Sequence, residues 1–177
     1  MKAALYQYRN NGFVKHERSD VFTVAEAQLA LCFGAKHLLQ DEGVYQLLKT
    51  KFPVANFAMC STSGEIYGTE VADDTLSVAV MQFSQTGVAT ASVRIDDFDS
   101  SYAVGAGLVD RFGKEGLSYL LVLSDGSRVN GSELVRGLNS AAPPSLIITG
   151  GLAGDGSNFQ STVVGLNDRP IGGLIIG

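Results

Sequence analysis

Apolar residues in this chain fall in short runs whose spacing alternates between helical and extended periods. In "TVAEAQLALCFGAKHLL", Ala27, Ala30, Leu31, Ala35 and Leu38 recur at helical spacing, and Thr23 with Glu26 makes a capping box, so a helix is predicted over 24–38. "SSYAVGAGLVDRFG" predicts a second helix, capped by Ser100 or Ser101, with Val104, Leu108, Val109 and Phe112 on one face and Gly113 at its exit. "NGSELVRGLNSA" predicts a third, with Asn130 as cap and Glu133 three residues on. A shorter candidate, "GVYQLLKTKF", stops at Pro53.

Short segments rich in Val, Ile, Leu and Tyr separate these helices: "KAALYQY", "VANFAM", "LSVAVMQF", "VATASVRI", "SYLLVLS", "SLIITG", "STVVGLN" and "IGGLIIG". "SQTG", between the third and fourth, and "NDRP", between the last two, read as hairpin turns. The expectation is an α/β fold: a mixed sheet of about eight strands, with three or four helices packed on its faces. The hairpins leave room for a second, antiparallel sheet. No linker or repeat divides residues 1–177, so one domain is expected. The apolar ending "LIIG" suggests a piece of a longer protein.

Charge narrows the partners. The formal net charge is −5 and the basic residues form no stripe, which argues against nucleic acid. No apolar run has the length a bilayer requires, and "MKAALYQYRNNG" turns polar too early for a signal peptide, so no membrane partner is expected. Without a targeting segment the expected location is cytoplasmic, with Cys32 and Cys60 as free thiols.

Three clusters of small polar residues follow predicted strands, where ligand crevices form in α/β sheets. The first offers Cys60, Ser61, Thr62, Gly64 and Glu65. The second offers Ser124, Asp125, Gly126, Asn130 and Gly131; the third offers Gly150, Gly151, Gly154 and Asp155. Turn chemistry alone explains any one such loop, but three of this density suggest a shared rim. Glycines there would let backbone N–H groups reach a carboxylate, and Asp or Glu would pair with an ammonium.

Other chemistry is poorly supported. "GGLAGDG" lacks the Lys-Ser/Thr pair of a phosphate-binding loop, and "GAGLVD" follows an acidic turn instead of a strand. No Cys or His stands at metal-ligand spacing from His16 or His37, and Asp96, Asp97 and Asp99 lack the rest of a calcium loop, so no metal is expected. As a nucleophile Cys60 would require a nearby base; it is equally a small buried residue at a strand end. A Cys- or Ser-dependent hydrolase at this loop is therefore an alternative, and no catalytic residue is assigned. No cofactor is expected, with haem on His37 as the alternative against a boundary histidine near a helix end.

At these loops the sequence resembles the N-terminal half of the FIST sensory domain family. The matching stretches are "CSTSGEI" at 60–66, "LSDGSRVNGSELVRGL" at 123–138 and "GGLAGDGSNFQST" at 150–162. Met59 stands where the family often has glycine. The resemblance implies a cytoplasmic input domain of a signal-transduction protein, binding small ligands such as amino acids and passing the signal to an output partner such as a histidine kinase. Some relatives are haem proteins that sense nitric oxide, and no catalytic activity is implied. It also implies a C-terminal half, absent from this chain, as a partner.

Overall fold

The strands divide among two large sheets and one small hairpin, in a computed structural model that describes residues 1–16, 19–54, 56–113 and 115–177. The first sheet contains β1 (Lys2–Arg9), β2 (Gly12–Lys15), β3 (Leu29–Gly34), β4 (Asn56–Ser61), β7 (Leu76–Gln82) and β11 (Val164–Leu166), in the spatial order β11-β4-β3-β7-β1-β2. The second contains β8 (Ser92–Arg94), β9 (Tyr119–Ser124), β10 (Ile147–Leu152) and β12 (Leu174–Ile176), in the order β10-β9-β12-β8. β5 (Glu65–Tyr67) and β6 (Glu70–Ala72) form the hairpin. Four helices accompany them: α1 (Lys36–Gln40), α2 (Glu42–Lys51), α3 (Ser101–Val109) and α4 (Gly131–Ala141).

Alternation along the strands builds four layers. On one face of the first sheet Ala30, Cys32, Phe57, Met59, Val78 and Val80 are buried with Leu39, Val44 and Leu48 from α1 and α2. On its other face Ala58, Cys60 and Val164 meet Leu123, Ala153 and Ile176 of the second-sheet side. The far face of the second sheet, with Leu120, Val122 and Ile175, is covered by Val104, Leu108, Leu134 and Leu138 of α3 and α4. Those two helices approach at Gly105 and Gly137: a Cβ on Gly105 would overlap the Leu134 carbonyl, and one on Gly137 the Tyr102 carbonyl.

Each large sheet is organised by one β-α-β unit. β3 and β4 are parallel, joined through α1 and α2; β9 and β10 are parallel, joined through α4. The caps of the later helices follow the sequence reading. Ser100 accepts from the Ala103 N–H and Asn130 from the Glu133 N–H, while α2 is capped by Asp41 accepting from Val44.

Four expectations require correction. The helix over 24–38 is instead a single 3-10 turn (Val24–Glu26), the strand β3 and the short α1; Thr23 makes no side-chain cap. β3 packs apolar side chains on both faces, with Ala30 and Cys32 buried on one side and Leu29, Leu31 and Phe33 partly buried on the other, and such a run has no period that separates strand from helix. "SQTG" makes no hairpin, because β7 lies in the first sheet and β8 in the second. The "NDRP" turn closes only a bridge between Val164 and Ile171 before the chain crosses to β12 in the other sheet. The single sheet of about eight strands is two sheets of six and four, with the hairpin apart. In the segment predicted as strand over 54–59, Ala55 lies outside the described residues, and β4 begins at Asn56.

Candidate functional site

The three polar loops meet, but across two sheets instead of along one edge. The loop after β4 is joined to the loop after β10: the Gly154 N–H donates to the Ser61 carbonyl at 2.8 Å and the Gly156 N–H to Ser63 Oγ at 3.1 Å. Ser61 also binds the segment entering β11, its N–H donating to the Val163 carbonyl and its Oγ accepting from the Val163 N–H. The loop after β9 joins the same network: the Gly126 N–H donates to Thr162 Oγ1 at 2.8 Å, and the Ala153 N–H to the Ser124 carbonyl. Gly154 sits so near the first loop that a Cβ there would lie 3.1 Å from the Ser63 nitrogen.

Two carboxylates organise this junction from inside. Asp125 is fully buried; its Oδ1 accepts from the Ser127 and Arg128 N–H groups and the Ser127 and Thr162 hydroxyls, and its Oδ2 from the Gly173 N–H at 2.5 Å. Burial pushes this carboxyl up, but the bonds from Gly173, Ser127 and Thr162 outweigh burial and hold it below the ordinary value. Glu65, also buried, accepts from the Thr62 hydroxyl at 2.7 Å and from the N–H and hydroxyl of Thr75.

Beside this junction a cleft of about 730 Å³ opens at the carboxyl ends of β3 and β4. Ala35, Lys36, His37 and Gln40 form one wall, residues 62–65 with Asp73 and Asp74 another, and residues 155–160 the third. Lys36 Nζ bonds Ser161 Oγ and lies 3.8 Å from Asp155. The Asp155 carboxyl is held below its ordinary value, first by the Ser161 N–H and, against some burial, by the Gln160 N–H and the Lys36 charge. His37 is mostly exposed, its Nδ1 3.8 Å from Asp74. Elsewhere, Gly131, Leu134, Val135 and Leu138 of α4 and residues 148–152 of β10 line a smaller groove of about 400 Å³, largely apolar.

The fourteen loop residues therefore take different stations. Thr62, Gly64, Glu65 and Asp155 line the polar cleft; Gly131, Gly150 and Gly151 line the apolar groove. Ser61, Ser124, Asp125, Gly126 and Gly154 join the loops, and Asn130 caps α4. Cys60 is not on a rim. Its side chain is buried between the sheets, and desolvation pushes its thiol up to about 12, which removes the thiolate a nucleophile would require. Cys32 and Cys60 are free and face opposite layers. Lys36, beside Asp155, sets a cation among the carboxylates of this cleft. Lys36, Asp73, Asp74 and Phe159 escape the sequence reading. The signal for Lys36 is its place just past "LALCFG", since that segment is the strand β3 and Lys36 stands at its carboxyl end.

Among the described residues no group of three or more His, Cys, Asp or Glu is placed to hold a metal ion, and no helix is long and apolar enough to cross a membrane.

Fold and site together make a two-sheet α/β architecture with an open polar cleft at its strand ends. The chain belongs to the FIST family: the FIST N domain model matches residues 28–177, and domains of this family have a sensory role in signal transduction. A comparison with curated proteins returns no match. Among solved structures the chain is similar to "AbyA1 - tetronic acid condensing enzyme", at 12% identity and a TM-score of 0.30, over 71% of this chain and 56% of that one. The chain thus spans little more than half of that enzyme's length, and so low a likeness says nothing of its chemistry.

Proposed function

We propose that this chain is the ligand-recognising part of a sensory module and that a small molecule carrying both an amine and a carboxylate, such as an amino acid, binds in the polar cleft. One observation carries the reading: a single cleft, within the size range of small-molecule sites, presents the Lys36 ammonium on one wall and the Asp73 and Asp74 carboxylates on another. A ligand carboxylate would take the N–H donor of Lys36 left over from Ser161 and Asp155, and its ammonium would pair with the Asp73–Asp74 turn. Asp125 and Glu65 act indirectly, since their oxygens already accept bonds from protein donors.

The reading includes a cytoplasmic setting, a C-terminal half of the same protein, and an output partner such as a histidine kinase. A Cys60 hydrolase is disfavoured by the burial of that thiol. A haem reading would rest on His37 alone, already beside Asp74.

Calorimetry of this chain against the twenty amino acids, with acetate and methylamine as half-ligands, tests the proposal. Amino acids are expected to bind, the half-ligands to bind far more weakly, and Lys36→Met to weaken binding about tenfold or more. Equal binding by wild type and Lys36→Met would overturn the site, and silence from every amino acid would overturn the ligand class.

A further inference from the structure

The least expected side chain in the polar cleft is Phe159. It is the most exposed large apolar residue of the described chain, at 91%. Its backbone is also left-handed, with φ of 51°. The other non-glycine residues with positive φ among the described residues are Asn10, Asn11, Asp74 and Asn167, types whose short polar side chains tolerate that region. A bulky aromatic gains nothing comparable, so water contact and backbone geometry both count against it here.

The loop beneath Phe159 is nevertheless built firmly. Asp155 accepts from the N–H groups of Gln160 and Ser161 at 3.3 and 3.1 Å, and its carbonyl accepts from Asn158 at 3.1 Å. Lys36 clamps Asp155 and Ser161 from α1, and Ser63 holds Gly156. The hydrogen bonds on both sides of position 159 hold the backbone that carries the ring, and the ring itself packs into no core cluster among the described residues, on the wall of an open cleft.

We infer that Phe159 is the specificity-determining residue of the cleft, selecting ligands that carry an aliphatic or aromatic group beside their charged head. This rests on the small-ligand reading above. An apolar group laid on the ring removes both surfaces from water and gives the exposed phenyl the partner it lacks. Lys36 and the Asp73–Asp74 turn supply contacts common to every amino acid, so they do not discriminate among side chains. Phe159 does. Such a ligand is an amino acid like leucine or phenylalanine, whereas glycine and serine leave the ring wet.

The test titrates leucine, phenylalanine, glycine and serine into wild type, Phe159→Ala, Phe159→Leu and Phe159→Gly by calorimetry, with melting curves of each free protein. Wild type is expected to bind leucine and phenylalanine about tenfold or more tightly than glycine or serine. Phe159→Ala should compress that preference to about threefold or less, and Phe159→Leu should keep most of it. Phe159→Gly, relieved of the left-handed constraint, should melt about 2–4 °C higher than wild type while losing the preference. A residue placed for stability would not give that pairing. If Phe159→Ala keeps the wild-type preference, or wild type binds glycine as well as leucine, the inference falls and the small-ligand reading stands. If none of the four binds wild type, the inference falls, and the small-ligand reading falls with it only if the other sixteen amino acids are silent too.

Discussion

Asp125 and Thr162 are joined across 37 residues: the Thr162 hydroxyl donates to Asp125 Oδ1 at 2.9 Å and itself accepts from the Gly126 N–H at 2.8 Å. With Gly173 on Oδ2, one buried carboxylate ties together the exit of β9, the approach to β11 and the turn before β12.

Replacing this carboxylate with its amide should be severe. An Asn at 125 would aim an NH₂ group at donors whichever way it is turned, since both oxygens of Asp125 face N–H or O–H groups. Asp125→Asn is expected to lower stability by about 2–4 kcal/mol in urea unfolding at pH 7. An unchanged midpoint would mean that the junction does not depend on the charge.

The same group predicts an acid dependence. Its folded pKa lies below the ordinary 3.8, so the folded state stabilises the ionised form. That contribution is complete above 3.8 and is lost as pH falls through the depressed folded value. The stability gap between wild type and Asp125→Asn should therefore narrow from about pH 4 downward and stay constant from about pH 5 to 7. A gap that widened in acid would contradict the sign.

Thiol chemistry gives an independent check on the inter-sheet layer. Cys60 and Cys32 should label with a disulfide reagent only as fast as the protein opens, because burial holds both thiols protonated. Labelling in urea should count two thiols, with native labelling at least a hundredfold slower, by about 10² for a few kcal/mol of opening free energy. Fast native labelling of Cys60 would move its side chain out of the layer where Leu123 and Ile176 meet it.

The contact between α3 and α4 should tolerate no methyl group at position 137. Gly137→Ala drives a Cβ into the Tyr102 carbonyl, which is backbone and cannot rotate away. A loss of about 3 kcal/mol or more is expected from denaturant midpoints, against under 1 kcal/mol for an alanine at the uncrowded Gly113.

The sequence was legible where local chemistry decides. Ser100 and Asn130 cap their helices because a single side chain meets a single backbone donor, and both were readable from spacing. The 24–38 segment was not, because small residues such as Ala30, Cys32 and Gly34 let β3 pass between two layers without the alternation that marks a half-buried strand. Partner choice was also hidden: nothing in "LIIG" says that Ile175 pairs with Val93 on one side and Ser124 on the other. Of the site, the polar loops were visible as composition. Their division between two sheets, and the cleft that Lys36 completes, depend on contacts distant in sequence.

The position of β12 has a consequence for how the chain assembles. β12 lies between β9 and β8, and β8 has no other strand partner among the described residues. Until residues 174–176 are in place, β8 cannot be stitched to the sheet and one flank of β9 has its backbone groups unpaired. The Gly173 N–H that completes the shell of Asp125 comes from the turn leading into the same strand. Closing the second sheet and closing the loop junction therefore depend on the same segment. A nascent chain released short of residue 173 would expose a sticky strand edge and an unfinished anion nest together.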